Sequence, residues 1–538
     1  MNTRFMRRGH WGRGLVLALL AAAGPAAAQD VTIPDVEAWS FTGFKSADGQ
    51  LYYTMRQERN VYDLFHLELY GRDLKKLSTT DVRLGRNGKL LTARAVGANT
   101  VFCFYNGKDG TLLQFNAAGQ KTQDIHVPLA DVFGSITALE PAGTAGDFYL
   151  VYPIDADKKG YSVARYGADF KPKWQKDFAP EKGKYQLRRF AADDAHVYAL
   201  DEYSKAGWEV ACLDGATGAE KARPALPAAP NEVLPTLARV DKAGRLLLAG
   251  PYADKSPRPA VYTEKPDAPP RGGFFTMGLS PEGKQEFLNT MPYTEELAQQ
   301  LNSRSSVAVF TVRNYPGIKL HELLEKPGGG YQLVGETYKN FGYNDADYER
   351  AGGVKSAPAP AANGNSNFGS MGGFGIGNTR SYVLDFVVLD LDAQGKMQAV
   401  RRIPKPYKLY QNHSVTSPDD WSQRSMYSYR FLAPAAGAPP RLVYLNWHQN
   451  LQYVNSVALT DKRDDLFSRL YLDQPVVPAD KDRGELTVRE FEHEVAAPNL
   501  DLAYDDVLPH APGKLLYSHY DKATKTLRLQ VLDVPGLK

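Results

Sequence analysis

Phe148-Tyr149-Leu150-Val151-Tyr152 is the stretch on which the reading of this chain turns. Five large apolar residues in succession, closed by Pro153, form neither a helix stripe nor a strand with one wet side. A run this short and continuous reads as a strand buried on both faces. Similar runs begin at Leu51-Tyr52-Tyr53, Val101-Phe102-Cys103, His196-Val197-Tyr198 and Leu246-Leu247-Leu248, so that the five copies lie 47 to 50 residues apart. Looser copies begin at Tyr331-Gln332-Leu333, Leu442-Val443-Tyr444 and Leu515-Leu516-Tyr517. After each run come a polar turn, a strand of alternating character, an Asp/Asn–Gly turn and a further strand. Phe65, Leu67 and Leu69 alternate with His66 and Glu68, and Leu527, Leu529 and Val531 alternate with Arg528 and Gln530. That period of two marks a half-buried strand near a sheet edge. Asn116–Gly119, Asp214–Gly218 and Asp392–Gly395 supply the reversing turns.

Eight copies at a period near 50 predict an all-β fold, a β-propeller of seven or eight blades with eight favoured. The apolar runs are then the inner strands. Trp39, Phe41 and their neighbours read as a lone strand before the first copy, and the last copy, 514–534, ends early. The N-terminal strand would complete that last blade and close the ring, removing exposed edges. Tandem β-sandwiches are the alternative. The plentiful Tyr (31), Phe (23), Gly (47) and Pro (35) suit many strands joined by turns. Three segments break the rhythm. Tyr293–Ser303 reads as a short helix capped by Thr294, with Leu297 and Leu301 on one face. Residues 343–380, rich in Gly, Asn, Ser and Pro, bury too little apolar surface to offset chain entropy and read as a disordered insertion between strands 331–338 and 382–391. The third, 404–432, is aromatic and polar without a strand period.

Residues 1–28 have the order of a secretory signal peptide: Arg4, Arg7, Arg8 and Arg13, then the apolar Leu15–Ala23, then Ala26-Ala27-Ala28. Cleavage is expected between Ala28 and Gln29, leaving 29–538 as a single propeller-like domain. Arg7-Arg8 lacks the aromatic and leucine that usually follow a twin-arginine pair, which favours ordinary secretion. The apolar run is too short for a bilayer, and no later stretch reaches the roughly 20 residues needed. With only Cys103 and Cys212 in the chain, no cysteine stands near the cleavage point to carry a lipid. The protein is therefore expected in the periplasm or outside the cell, and not as a lipoprotein. The 64 basic side chains include the four of the leader, so 29–538 carries 60 basic against 61 acidic groups. Such a balance offers no basic field for nucleic acid. Cys103 and Cys212 sit in apolar runs two repeats apart and read as two separate buried thiols.

Lys319-Leu320-His321 through Val334-Gly335-Glu336-Thr337-Tyr338-Lys339, a Gly-rich insertion, and then Phe386-Val387-Val388-Leu389-Asp390 resemble a family of exported bacterial β-repeat proteins of unknown function. The resemblance is clearest over about 300–400; it implies export and β-architecture and brings no catalytic residues. More locally, Ala211–Gly218 is similar to the Leu-Asp-x-x-Thr-Gly turn of quinoprotein-type blades, without the adjacent cysteines of many quinoprotein dehydrogenases.

Motifs for chemistry are sparse. There is no Gly-x-Ser-x-Gly elbow, Ser-x-x-Lys, Gly-Lys-Ser/Thr or His-Glu-x-x-His. His321-Glu322-Leu323-Leu324-Glu325 comes nearest to a zinc helix but leads into a glycine turn, so a hairpin is expected. Asp155–Gly160 carries two carboxylates and the glycine of a calcium loop, but Lys159 and Tyr166 stand where oxygen ligands are needed. No metal and no cofactor are expected. Acids such as Asp63, Asp201, Glu202, Asp419, Asp420, Asp505 and Asp506 are candidates for a glycosidase pair, which nothing local brings together. Tyr407, Tyr410, His413, Trp421, Tyr427 and Tyr429 are the ligand-binding candidates, because aromatic rings with polar tips suit sugar or protein surfaces. The sequence thus predicts a non-enzymatic binding or scaffold protein with a protein or glycan ligand at the cell envelope. The alternative is a glycan-active enzyme with a carboxylate pair assembled across blades.

Overall fold

The computed structural model of the chain is nearly all β. It describes residues 30–533 except 38–42, 48–49, 59–60, 86–87, 131–134, 144–145, 155–159, 181–182, 204–206, 229, 255–271, 302–316, 327, 342–378, 404–408, 414–428, 433–439, 449–450, 460–466, 476–505, 512 and 522. The described strands form eight antiparallel sheets, at 45–83, 89–127, 138–178, 185–222, 231–292, 317–413, 429–475 and 506–533. We number them blades 1 to 8. Each is a four-strand meander; in blade 5 the innermost strand is split into Asn231–Val233 and Leu237–Val240, and in blade 6 Leu409–His413 adds a fifth strand against the start of Thr379–Leu391.

Packing closes these sheets into a ring. An apolar cluster joins each blade to the next, such as Leu67 and Leu69 of blade 1 with Phe102 and Phe104 of blade 2, and the same holds through blades 7 and 8. The eighth cluster joins the ends: Tyr52 and Tyr70 of blade 1 pack on Leu516, Tyr520 and Leu527 of blade 8. Each such buried side chain is worth about 1.5–3 kcal/mol. The fold is an eight-bladed β-propeller.

The ring is closed by an N-terminal strand, as the early end of the last copy predicts, but by a different segment. Asp30–Ile33 pairs antiparallel with Thr526–Asp533 and becomes the outermost strand of blade 8. Trp39 and Phe41 lie outside the described residues. Alternation in Val31, Ile33 and their exposed neighbours was too short to stand out as a strand.

The structure also sets the phase of the repeat. All eight apolar runs are inner strands, each the second of its blade, and Asp147–Pro153 is buried throughout. The innermost strands are less buried and carry charge, as in Tyr185–Ala192 with Arg188 and Arg189. Regular alternation also marks the outermost strands Lys76–Arg83, Lys121–Val127 and Pro172–Phe178. Of the two third strands expected to alternate, Thr526–Asp533 does, with Leu527, Leu529 and Val531 buried and Arg528 exposed, whereas in Leu64–Tyr70 Glu68, expected to face water, is buried between blades.

The turn between third and outermost strands repeats one backbone feature. Its left-handed residue is Leu74 (φ 60°), Gly119 (73°), Phe170 (62°), Gly218 (70°), Gly283 (74°) or Gly395 (72°) in blades 1 to 6. Each such turn docks on the preceding blade. A Cβ on Gly218 would stand 2.6 Å from the Trp174 ring of blade 3, which explains glycine there. Leu74 and Phe170 accept the strain and bury their side chains in the seams instead.

The expected helix is Glu295–Leu301, capped by Thr294 Oγ1, which accepts from the Leu297 amide at 3.2 Å; Leu297 and Leu301 pack between blades 5 and 6. The His321 segment is a strand hairpin, Gly317–Glu325 with Tyr331–Phe341. Asp155 and Asp157 lie outside the described residues, between the paired strands Asp147–Pro153 and Tyr161–Tyr166. Strand Thr379–Leu391 begins two residues inside the expected 343–380 insertion, the rest of which lies outside the described residues. Cys103 and Cys212 are fully buried and unpaired in different seams, and burial pushes both thiols up to about 12.

Candidate functional site

The meander gives the ring two unlike faces. Turns from first to second and from third to outermost strand lie on one side, and in blades 1 to 6 they are short. Connections from second to third strand, and from each blade to the next, join strand ends on the other side. All five of the longest connections, 255–272, 293–316, 342–378, 404–428 and 476–505, belong to that second set. Within 404–428 the strand Leu409–His413 folds back on blade 6, with Tyr410 opposite Tyr382 and His413 opposite Thr379. Tyr429 starts the innermost strand of blade 7, opposite Tyr444. Two strands thus occupy a region whose sequence showed no strand period. Tyr407, Trp421 and Tyr427 lie outside the described residues.

The described part of this face is richest between blades 3 and 4. Tyr161 begins the third strand of blade 3 (Tyr161–Tyr166) and Phe178 ends its outermost strand (Pro172–Phe178). Tyr185 opens the first strand of blade 4, Asp201 and Tyr203 end its second (His196–Tyr203), Glu209 lies at the start of its third (Gly207–Asp214), and Arg223 follows its last. Every one of these positions is a strand end on the long-connection side. The Arg223 guanidinium stands over the rings of Phe178 at 4.8 Å and Tyr185 at 5.2 Å. It donates to Asp201 Oδ2 at 3.0 Å and to Glu220 Oε1 at 3.2 Å, with Glu209 Oε2 at 3.7 Å. Lys176 pairs with Glu220 at 3.1 Å, and the Tyr185 and Tyr203 rings meet at 5.2 Å.

Asp201 lies deepest, with no exposed surface. Tyr161 donates its hydroxyl to Oδ2 at 2.6 Å, while Oδ1 has no hydrogen-bond partner among the described residues. Burial pushes the Asp201 carboxyl up to about 6, against the hydrogen bond from Tyr161 and the charge of Arg223. Burial and the Asp201 charge hold the Tyr161 hydroxyl well above its usual range. A carboxylate this enclosed cannot meet a substrate; it pins Arg223 and, through it, the partly exposed Tyr185, Glu209 and Glu220. The acids of the sequence reading are otherwise scattered. Asp63 pairs with Arg83, Glu202 with Arg188 and Asp506 with Lys45, in three different places, while Asp419, Asp420 and Asp505 lie outside the described residues. No cluster of three or more His, Cys, Asp or Glu suited to a metal occurs among the described residues. Sequence reading placed Asp201 among the candidate acids but missed Tyr185, Tyr203 and Arg223, which only the fold gathers.

Nearer the axis, the innermost strands bulge in every second blade. Register shifts fall between Leu90 and Thr92, Leu187 and Arg189, Leu320 and Glu322, and Pro509 and Ala511. A bulge re-aims the extra residue: Arg188 then bonds Glu202 at 2.9 Å, His321 bonds Glu336 at 2.7 Å, and His510 bonds the Tyr52 hydroxyl at 2.8 Å. Arg189 and Arg239 donate across blades to the carbonyls of Thr236 (2.7 Å) and Leu323 (2.9 Å). Arg189 and Arg239 thus tie the inner edges of neighbouring blades together, while Arg188 and His321 bond the second strand of their own blade.

No known protein family matches the chain, and no curated protein is similar to it in sequence. Among solved structures the chain is similar to BamB from Moraxella catarrhalis (8% identity, 94% of this chain and 100% of that one, TM-score 0.37). It is likewise similar to the WD40 domain of SCAP from fission yeast (7%, 95% and 99%, TM-score 0.40) and to the polysaccharide lyase Uly1 (11%, 94% and 98%, TM-score 0.37). Likeness at this level leaves function open. Among the described residues no helix is long and apolar enough to cross a membrane.

Proposed function

We propose that this chain is an exported binding or scaffold propeller that meets a protein or glycan partner at the cell envelope through its long-connection face. The observation that carries the reading is that the strand ends joined by the five longest connections all lie on one side of a closed ring. Loops on a rigid scaffold are where binding residues concentrate. The Tyr185–Tyr203–Arg223 patch belongs to the described part of that face, and the connection bearing Tyr407, Trp421 and Tyr427 departs from the same side. Export rests on the leader at 1–28, and a cut after Ala28 leaves the ring-closing strand Asp30–Ile33 intact. The glycan-active alternative is the weaker reading, because Asp201, whose carboxyl burial pushes up to about 6, is wholly buried. The test places a photo-crosslinking residue at Tyr203 and, separately, at Lys242 on the short-turn side, in cells exporting the full chain. Discrete adducts from position 203 alone support the reading. Equal adducts from both positions, or none, refute it.

A further inference from the structure

On the face that each blade turns to its predecessor, the middle of the second strand carries an apolar residue in seven blades: Phe102, Leu150, Ala199, Leu248, Leu333, Tyr444 and Tyr517. Blade 1 has Thr54 there, followed on the same face by Arg56. The seam between blades 8 and 1 consequently holds a cavity of about 660 Å³, within the range of about 300–1,000 Å³ typical of small-molecule sites. One wall is polar. Thr54 is 3% exposed and its hydroxyl has no partner among the described residues. Arg56 Nη2 donates to Glu68 Oε1 at 3.0 Å while its Nε is unpartnered; Lys76 donates to the same oxygen at 2.7 Å, and the Tyr70 hydroxyl donates to Oε2 at 3.0 Å. Burial would raise the Glu68 carboxyl, but Lys76, Arg56 and Tyr70 outweigh it and hold it below its usual range, so it is an anionic acceptor. The facing wall is apolar: Val31, Ile33, Val36 and Leu527, with Leu74 at one end. At the rim, Lys75 pairs with Asp73.

We propose that this cavity binds a neutral saccharide unit. A sugar ring has the same two-sided chemistry: hydroxyl edges that pair with a carboxylate, a guanidinium and a hydroxyl, and a C–H face that lies against aliphatic side chains. The charges lining the cavity nearly balance, with Arg56, Lys75 and Lys76 against Asp30, Asp35, Glu68 and Asp73, which disfavours a strongly anionic ligand. Thr54 supplies the buried unpaired group that a dry apolar void would not have. This site is separate from the long-connection face and stands or falls independently of it.

The experiment is calorimetric titration of the purified 29–538 chain with neutral hexoses, N-acetylhexosamines and their disaccharides, with galacturonate and inorganic phosphate as anionic probes. Binding of at least one neutral sugar is expected, lost at least tenfold in Thr54→Leu, which restores the residue type of the other blades. Glu68→Gln should also lose at least tenfold, and Tyr203→Ala on the long-connection face should change nothing. No neutral sugar bound at millimolar concentration, preference for the anionic probes, or undiminished binding by folded Thr54→Leu and Glu68→Gln overturns the proposal.

Discussion

Between blades 3 and 4 the second strand of blade 4 presents Val197, Ala199 and Asp201 to its neighbour; between blades 8 and 1 the second strand of blade 1 presents Tyr52, Thr54 and Arg56. Both seams therefore bring polar groups into an apolar joint, and they accommodate them differently. In the first, Tyr161, Phe178 and Tyr185 fill the space beside the small Ala199, and Arg223 is held against the buried acid. In the second, Leu516, Tyr520 and Leu527 of the preceding blade pack on Tyr52 and Tyr70, but beside Thr54 and Arg56 the wall is the short outer strand Asp30–Ile33 with Leu527, and the space stays open. Partners converge on the acid in both seams, on Asp201 and on Glu68, and the difference lies in the space beside them, filled by aromatic rings in the first and open beside Thr54 in the second.

The sharpest break of this comparison is removal of the closing strand. A chain beginning at Asp35 should lose the pairing of Asp30–Ile33 with Thr526–Asp533 and expose a flat edge. It should unfold or aggregate at 37 °C, as read by circular dichroism and size exclusion. A stable monomer would mean that the eight inter-blade clusters close the ring unaided. Next in size, Leu150→Thr puts into an ordinary seam what blade 1 carries naturally. It should cost about 2–4 kcal/mol by urea unfolding, since it removes a wholly buried side chain and buries a hydroxyl. Thr54→Leu should cost nothing or stabilise.

The buried acid makes a pH signature. The Asp201 carboxyl is raised in the fold, so protonation favours the folded state. Its contribution is fully present below its ordinary value, 3.8, and is lost as pH rises through about 6. Wild type should therefore gain up to about 3 kcal/mol relative to Asp201→Asn as pH falls from 7 to 4. The neighbouring groups are Tyr161, Tyr185, Lys176, Glu209, Glu220 and Arg223, all present in both proteins, so the difference isolates residue 201. Parallel stability curves for the two would remove the polar pin from the comparison. The smallest effect belongs to the docking turns. Gly218→Ala, at φ 70° and against Trp174, should cost about 1–2 kcal/mol of thermal stability, and more than the same change at Gly207, where a Cβ meets nothing.

How much of this was legible beforehand follows from which interactions are local. All eight second strands were found from runs such as Phe148–Tyr152, because burial on both faces leaves an unbroken apolar record. The turns Asn116–Gly119, Asp214–Gly218 and Asp392–Gly395 were found because left-handed backbone selects glycine. Among the innermost strands Gly317–Glu325 was legible as half of a hairpin through its glycine turn, whereas Tyr185–Ala192, charged, partly exposed and bulged, obeys no period and was missed. The candidate residues Tyr407 to Tyr429 were chosen for their density along the chain, whereas Tyr161, Tyr185, Tyr203 and Arg223 are dispersed along it and converge only through pairing.

By itself the sequence determined a repeated β-architecture, with eight blades favoured over seven, and the apolar second strands that the blades bury, since period, turn chemistry and burial are written within about fifty residues. Only the tertiary structure decided which strand closes the ring and where it is imperfectly filled. The Tyr520 hydroxyl donates to the Val36 carbonyl at 2.6 Å across nearly the whole chain. The shape of the last seam is set jointly by Thr54 and Arg56 of blade 1 and by Val31 and Leu527 of blade 8, and no local pattern in either blade carries the volume left between them.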